Sequence, residues 1–265
     1  MVRHVAGDEL KGGRITSEGN SVNRGVAIST IQRRMAIWFI KAKVEHAWGL
    51  YPEGIDVVIN NAGYILNGAV EELSPKELED VMKTNFFCPF HITQAVLPKM
   101  RAKGHSTLFY MSSQAAWHAD PGASGYCASK FALEGMAECL AKELALVAPG
   151  IRVLLVEPGY FGTHAFRKIS FAPLRNAADY GAFQASSRAY AAGVIGHEPG
   201  DADKAVDRMI DLVKGTGAAA GREVPLRVPL GTDGWLRIKA KCEDTLKICE
   251  AWEDVARSTD KTPPA

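Results

Sequence analysis

Residues 107–114, Thr-Leu-Phe-Tyr-Met-Ser-Ser-Gln, and residues 126–130, Tyr-Cys-Ala-Ser-Lys, decide the reading of this chain. An apolar strand ends in hydroxyls, and thirteen residues after Ser113 a helix presents a phenol and an ammonium four positions apart, on one face. Together they form a proton-transfer site. A Tyr with its reference pKa of about 10 is a poor acid or base at neutral pH, so the spacing predicts that Lys130 lowers the Tyr126 pKa by favouring the phenolate. A phenol tuned in this way exchanges a proton with a carbonyl or alcohol oxygen that the Ser113 hydroxyl also holds. Taken alone, Ser112 and Ser113 are read equally well as strand-end capping residues.

The surrounding pattern is α/β. Ile55-Asp-Val-Val-Ile-Asn60, Thr107 to Met111 and Ile151-Arg-Val-Leu-Leu-Val156 are short apolar runs bounded by turn signals, as expected of buried parallel strands. Between them lie helices. Ser74-Pro-Lys-Glu77 is a capping box with Pro at the first helical position, opening a helix that runs towards Met100, with Pro89 as an expected kink and Gly104 as its stop. Leu133, Met136, Leu140 and Leu144 mark a second helix over residues 129–147. An N-terminal helix is read from Ile31 to Trp48, and Gly25 to Thr30 suggests a short strand before it. Towards the C-terminus, Asp201 caps a helix that Gly215 ends, Leu226 to Pro229 is the last strand, and Trp235 to Val255 is an amphipathic helix. Residues 160–198 lose this regularity and gather aromatics, a substrate-loop insertion whose rings serve equally as lid core or as contacts to an apolar ligand. The expected architecture is a single domain over 1–265. It is a three-layer, Rossmann-like parallel sheet with helices on both faces, an atypical or disordered segment 1–30 and a frayed tail 259–265.

Composition narrows the function. With 31 basic and 30 acidic residues in 265, the formal net charge of +1 gives no footprint for nucleic acid. Five scattered Cys, none in C-x-x-C spacing, suggest reduced and mostly buried thiols, and no metal centre is expected. Neither a signal-peptide core nor a run of 18 apolar residues occurs, so the expected setting is a soluble protein of the cytoplasm.

Asn60-Asn-Ala-Gly63, Asn85, Ser113, Tyr126-x-x-x-Lys130 and Pro158-Gly159 with Thr163 stand in an order that resembles the short-chain dehydrogenase/reductase family over about residues 36–257. Tyr-x-x-x-Lys alone is a weak signal, because seven Tyr and 16 Lys give about 0.4 chance matches in this chain. The ordered set of five is specific. The resemblance implies catalytic roles for Ser113, Tyr126, Lys130 and Asn85, the last through a local helix break and a bound water that relays protons to Lys130. It places Asn60, Asn61, Ala62 and Gly63 on the adenine side of a nicotinamide cofactor. Pro158, Gly159, Phe161 and Thr163 fall on its nicotinamide side, with Tyr126 and Lys130 at the ribose. The implied cofactor is NADP or NAD, NADP slightly favoured. The implied substrate is an apolar ketone or secondary alcohol, and the implied assembly is a homodimer or homotetramer through the helices carrying Asn85 and Tyr126, with neither nucleic acid nor membrane as a partner.

The departure is at the front. Only 59 residues precede Asn60, and no Thr-Gly-x-x-x-Gly-x-Gly turn occurs among them. A strand-helix-strand unit of roughly 30 residues is expected to be missing or replaced. The strand at Ile55 to Asn60 is then expected to lose its neighbour. The alternative reading is a truncated or mispredicted, catalytically defective chain, or a non-catalytic nucleotide-sensing or scaffold protein.

Overall fold

The computed structural model describes residues 2–6, 9–13 and 25–28 as backbone, and residues 37–261, with side chains from Trp38 onward. The expectations for residues 1, 7–8, 14–24, 29–36 and 262–265 lie outside the described residues.

Seven strands form the main sheet in the order β2-β1-β3-β4-β6-β7-β9. These are β1 (Val2–Ala6), β2 (Glu9–Gly13), β3 (Gly25–Ile28), β4 (Val57–Asn60), β6 (Ser106–Met111), β7 (Ile151–Pro158) and β9 (Arg227–Leu230). All neighbours run parallel except the β1–β2 hairpin at one edge. A small parallel pair, β5 (Leu66–Asn67) with β8 (Ser170–Phe171), lies apart.

One expectation is corrected here. β3 pairs with β4 in the register Gly25↔Val57, Val26↔Val58 and Ala27↔Ile59, and β1 continues the ladder beyond it. The strand at β4 therefore keeps a neighbour and is not an exposed edge. Two parallel strands precede it in the sheet, where a strand-helix-strand unit was expected to be missing or replaced. The short strand suggested at Gly25 to Thr30 is present as β3, whereas β1, Val-Arg-His-Val-Ala, carries too mixed a pattern to be read as a strand, since pairing through the backbone does not require an apolar run.

The period of two along each central strand divides the core. Val58, Leu108, Tyr110, Val153 and Leu155 face one side and pack with Ile40, Val44, Val96, Met100, Leu133, Leu140 and Leu144. Those partners come from α1 (Ile37–Gly49), α3 (Cys88–Lys103) and α4 (Ser124–Val147). Val57, Phe109, Leu154 and Val156 face the other side against Met209, Leu212 and Val213 of α6 (Ala202–Lys214). Both faces are covered, as the apolar strand runs require. Each fully buried Leu or Phe contributes about 1.5–3 kcal/mol.

The capping box forms in full. Ser74 Oγ accepts from the Glu77 backbone N–H at 3.3 Å, Glu77 Oε2 accepts from the Ser74 N–H at 2.8 Å, and α2 (Pro75–Met82) follows. Pro89 does not break the helical run. A π-turn over Lys83–Phe87 takes up the irregularity instead, with the Cys88 N–H donating to the Lys83 carbonyl, before α3 continues to Gly104 at φ 87°. In an α register the Asn85 carbonyl would take its bond from residue 89, a proline with no N–H. Residues 160–198 are more regular than expected, since α5 (Ala177–Val194) occupies eighteen of them. The final helix is α7 (Thr232–Ala251), followed by α8 (Glu253–Arg257).

Of the five thiols, Cys127 is buried and Cys88 half-buried, while Cys139, Cys242 and Cys249 are exposed, which corrects the expectation of mostly buried cysteines. No described helix is long and apolar enough to cross a membrane.

Candidate active site

The carboxyl ends of β4, β6 and β7 open into one cleft of about 1950 Å³, the place where open α/β sheets take their ligands. Asn61 and Gly63 line it after β4, Ser112 to Ala115 after β6, and Pro158 to Phe161 with Thr163 after β7. Tyr126, Cys127 and Lys130 line it from α4, and Phe166, Phe171, Phe183 and Tyr190 come from the segment after β7.

Ser113 follows β6 in extended backbone, its hydroxyl accepting the Ala115 N–H at 3.1 Å and lying near enough to the Tyr126 phenol to favour its ionised form. α4 starts at Ser124, five residues earlier than the apolar spacing indicates, so Tyr126 lies in its first turn. Lys130, one turn on, is 5% exposed and donates to the Met111 carbonyl at 2.7 Å. Its ammonium lies 5.7 Å from the centroid of the Tyr126 ring. Strand end, phenol and ammonium thus meet on one side of the cleft, with the ammonium tied to the end of β6.

The expected lowering of the Tyr126 pKa does not hold in this structure. Burial pushes the phenol up to about 12, with the nearby Ser113 hydroxyl opposing. Lys130 faces the ring and directs a proton at a backbone carbonyl, so its charge does little for the phenolic oxygen. Burial also pushes the Lys130 amine down to about 8, and the Glu134 carboxylate opposes that fall.

Behind these groups sits Asn85, 1% exposed, in the π-turn. Its Oδ1 accepts from the Tyr64 N–H at 3.1 Å, and its Nδ2 donates to the Tyr64 carbonyl at 3.0 Å and to Ser129 Oγ at 2.9 Å. Ser129 Oγ in turn donates to the Tyr126 carbonyl at 2.6 Å. Asn85 therefore ties the chain after β4 to the turn of α4 that carries Tyr126. Gly63 packs closely here, since a Cβ would lie 3.1 Å from Asn85 Oδ1 and press that side chain to shift by a few tenths of an ångström. Asn60 is 4% exposed, and neither amide atom has a hydrogen-bond partner among the described residues. Asn60, Ala62 and Asn85 lie behind the cleft wall, whereas Asn61, Gly63, Ser113, Tyr126, Lys130, Pro158, Gly159, Phe161 and Thr163 line it.

Sequence reasoning missed three positioning groups. Asp233, at the start of α7, accepts the Tyr160 N–H through Oδ2 at 2.8 Å and holds the turn after β7. Glu72, 3% exposed, accepts the Asn176 N–H at 2.9 Å and the Arg175 N–H at 2.5 Å, fastening the aromatic segment to the base of α2. Arg237 pairs with Asp120 at 2.7 Å and stands 5.5 Å from the Tyr160 ring centroid. Only Asp233 left a sequence signal, an acidic residue in a first helical turn. His118 is 3.3 Å from Asp120 Oδ1 and does not line the cleft, while His164 lines it from an exposed position.

A doubly wound α/β sheet with Ser, Tyr and Lys at its carboxyl edge defines an oxidoreductase class, and comparison with known proteins agrees. Residues 30–172, just over half of the chain, match the family model described as short chain dehydrogenase, and the chain belongs to that family of oxidoreductases. Oxidoreductase claN of Passalora fulva is 47% identical over 120 residues, which cover 45% of this chain and 51% of that protein. Oxidoreductase calM of Penicillium decumbens is 34% identical over 214 residues, 76% of this chain and 66% of that protein. The chain thus spans about half of the first relative and 66% of the second. The crystal structure of a short-chain dehydrogenase from Streptomyces avermitilis superposes with a TM-score of 0.73 at 28% identity, covering 89% of this chain and 90% of the other. A short chain dehydrogenase from Burkholderia cenocepacia, crystallised with NADP, shares the fold at 19% identity and a TM-score of 0.59, over 85% of this chain and 78% of its own.

Proposed function

We propose that the chain is an NAD(P)-dependent oxidoreductase acting on an apolar ketone or secondary alcohol, with Tyr126 as general acid and base. The observation that carries the reading is the convergence of Ser113, Tyr126 and Lys130 on one cleft, with the ammonium 5.7 Å from the centroid of the phenol ring. The residues fit the cofactor on its nicotinamide side. Pro158, Gly159, Phe161 and Thr163 line one side of the cleft and would hold the nicotinamide, Lys130 would hold the ribose, and Asn61 and Gly63 would meet the adenine half. When bound, the nicotinamide supplies or accepts the hydride; proton handling is left to the protein.

With burial raising its pKa to about 12, the Tyr126 phenol is protonated at neutral pH, and its work as an acid depends on the bound substrate and cofactor lowering that value. Ser113, on the same cleft, would hold the substrate oxygen that Tyr126 protonates. As the proton leaves, Lys130 is the cation one helical turn away that would offset part of the charge developing on Tyr126, provided its ammonium turns from the Met111 carbonyl towards the phenolic oxygen. Apolar side chains on the far side of the cleft, Phe166, Phe171, Phe183 and Met209 among them, suit an apolar carbonyl compound.

Tyr126→Phe keeps the ring and removes the hydroxyl. The expected outcome is loss of ketone reduction with cofactor binding and melting temperature nearly unchanged, and retained turnover would overturn the assignment.

A second reading, a defective chain or a non-catalytic nucleotide sensor or scaffold, rests on one observation. After β3 the sequence runs Ser29-Thr-Ile-Gln-Arg-Arg-Met35 with no glycine, so the pattern that wraps a pyrophosphate is lacking. Cofactor binding without turnover across a panel of ketones and alcohols would favour it. Assembly through the helices carrying Asn85 and Tyr126 is part of the first reading, supported by Phe131, 48% exposed, and Leu146, 86% exposed, on α4.

A further inference from the structure

One turn beyond Lys130, α4 carries a second buried charge. Glu134 is 5% exposed, and its Oε2 accepts from Arg227 Nε of β9 at 2.6 Å. Glu157, near the end of β7, is 1% exposed. Its Oε1 accepts from Trp117 Nε1 at 2.8 Å and lies 3.7 Å from the same Arg227 Nε. Arg227 Nη2 also reaches Glu138 at 2.8 Å, whose second partner is Lys142 at 2.6 Å on the surface. One guanidinium thus serves three carboxyl groups, two of them out of contact with water.

Two carboxylates at one nitrogen in a dry site repel each other, and the guanidinium neutralises one of them. A proton on the other removes the repulsion and creates a donor. Glu134 Oε1 is the matching acceptor, buried and without a hydrogen-bond partner among the described residues. Trp117 and Arg227 both address Oε1 of Glu157, which leaves its Oε2 for the proton. In agreement, burial and the facing Glu134 push Glu157 up to about 7.

The charge on Glu134 matters to Lys130. The ammonium donates to a neutral carbonyl, that of Met111, and a buried cation without a counter-charge sheds its proton. Of the other titratable groups nearby, burial holds Tyr126 and Cys127 in their neutral forms. Asp120 is engaged with Arg237 and His118. Glu138 is engaged with Arg227 and Lys142.

We propose that Glu134 is a positioning residue of the proton-transfer site, clamped by Arg227 so that its carboxylate keeps Lys130 an ammonium, while Glu157 holds a proton shared with Glu134. The proposal adopts the role given to Lys130 above. Its test reads protonation in the cofactor-free, full-length protein without turnover, so that failure here and failure of the Tyr126→Phe assay are separate results.

The lysine Cε resonances of protein labelled with 13C-lysine, assigned with Lys130→Arg, give the Lys130 titration. Glu134→Gln is expected to lower its midpoint by about one unit, a tenfold change in ionisation constant. Glu157→Gln, which keeps a donor towards Glu134, is expected to leave the midpoint in place, and Glu134→Asp to restore most of it. An equal midpoint in wild type and Glu134→Gln would overturn the positioning role. Infrared difference spectra are expected to show a protonated-carboxyl band below neutral pH that disappears above it and is absent from Glu157→Gln. A wild-type protein lacking that band would overturn the shared proton. Should Glu134→Gln fail to fold, Glu134→Asp decides the first point, an unshifted midpoint counting against it, and the wild-type spectrum still decides the second.

Discussion

Replacing Asn85 by Ala removes three hydrogen bonds from a side chain that is 1% exposed, two with the Tyr64 backbone and one with Ser129 Oγ. Each is worth about 1 kcal/mol net, and Ser129 keeps its bond to the Tyr126 carbonyl, so the expected destabilisation is about 3 kcal/mol. For a chain of this size that corresponds to a fall of roughly 6–12 °C in melting temperature. Urea denaturation followed by tryptophan fluorescence measures it, with a lower midpoint at unchanged slope as the expected signature. The same variant frees Gly63 and Tyr64 from α4, and cofactor affinity should fall with stability. Asn85→Asp is expected to do no better, since it loses both N–H donors and buries a charge. A change of less than about 1 kcal/mol in Asn85→Ala would refute the claim that this side chain fastens the site together.

Two further outcomes test other parts of the account. A Cβ on Gly234 would lie 2.8 Å from the Gly159 backbone N, so Gly234→Ala is expected to displace the turn after β7 and weaken cofactor binding at least tenfold, or about 1.4 kcal/mol, in a fluorescence titration. Ketone reduction should decline above about pH 8, where the Lys130 ammonium is lost, as read from kcat/KM against pH. That decline is separable from unfolding. Because burial lowers the folded value from 10.5 to about 8, the unfolded chain binds the proton more tightly, and this group's contribution to stability rises with pH across that window.

The sheet was legible where its physics is local. The alternating faces of β4, β6 and β7 come from apolar runs too short for helices, and the Ser74–Glu77 box marks a helix start that hydrogen bonds between neighbouring residues complete. α5 was not legible, since Ala-Ala-Asp-Tyr-Gly-Ala-Phe-Gln-Ala-Ser-Ser-Arg has no strong apolar stripe, and its first turn relies on Asn176 accepting the Asp179 N–H. The strand β3 was legible in Gly25 to Thr30, but β1 was not, because its place depends on pairing with residues further along the chain. Within the site, the order of Ser113, Tyr126 and Lys130 was readable from spacing, whereas their electrostatics were not. The raised phenol and lowered amine follow from burial, and burial depends on what the lid and the sheet place around them. Glu72, Asp233 and the Glu134–Glu157–Arg227 group act across long sequence separations that no local pattern records.

The most direct test of the account is a titration of the full-length protein with NADPH and with NADH, following tryptophan quenching, in wild type and in Lys130→Ala. The account predicts saturable binding of at least one of the two below millimolar concentration, weakened in the variant because the ammonium proposed to hold the ribose is gone. Absence of saturation up to millimolar cofactor in the wild type, or saturation that Lys130→Ala leaves untouched, would contradict it.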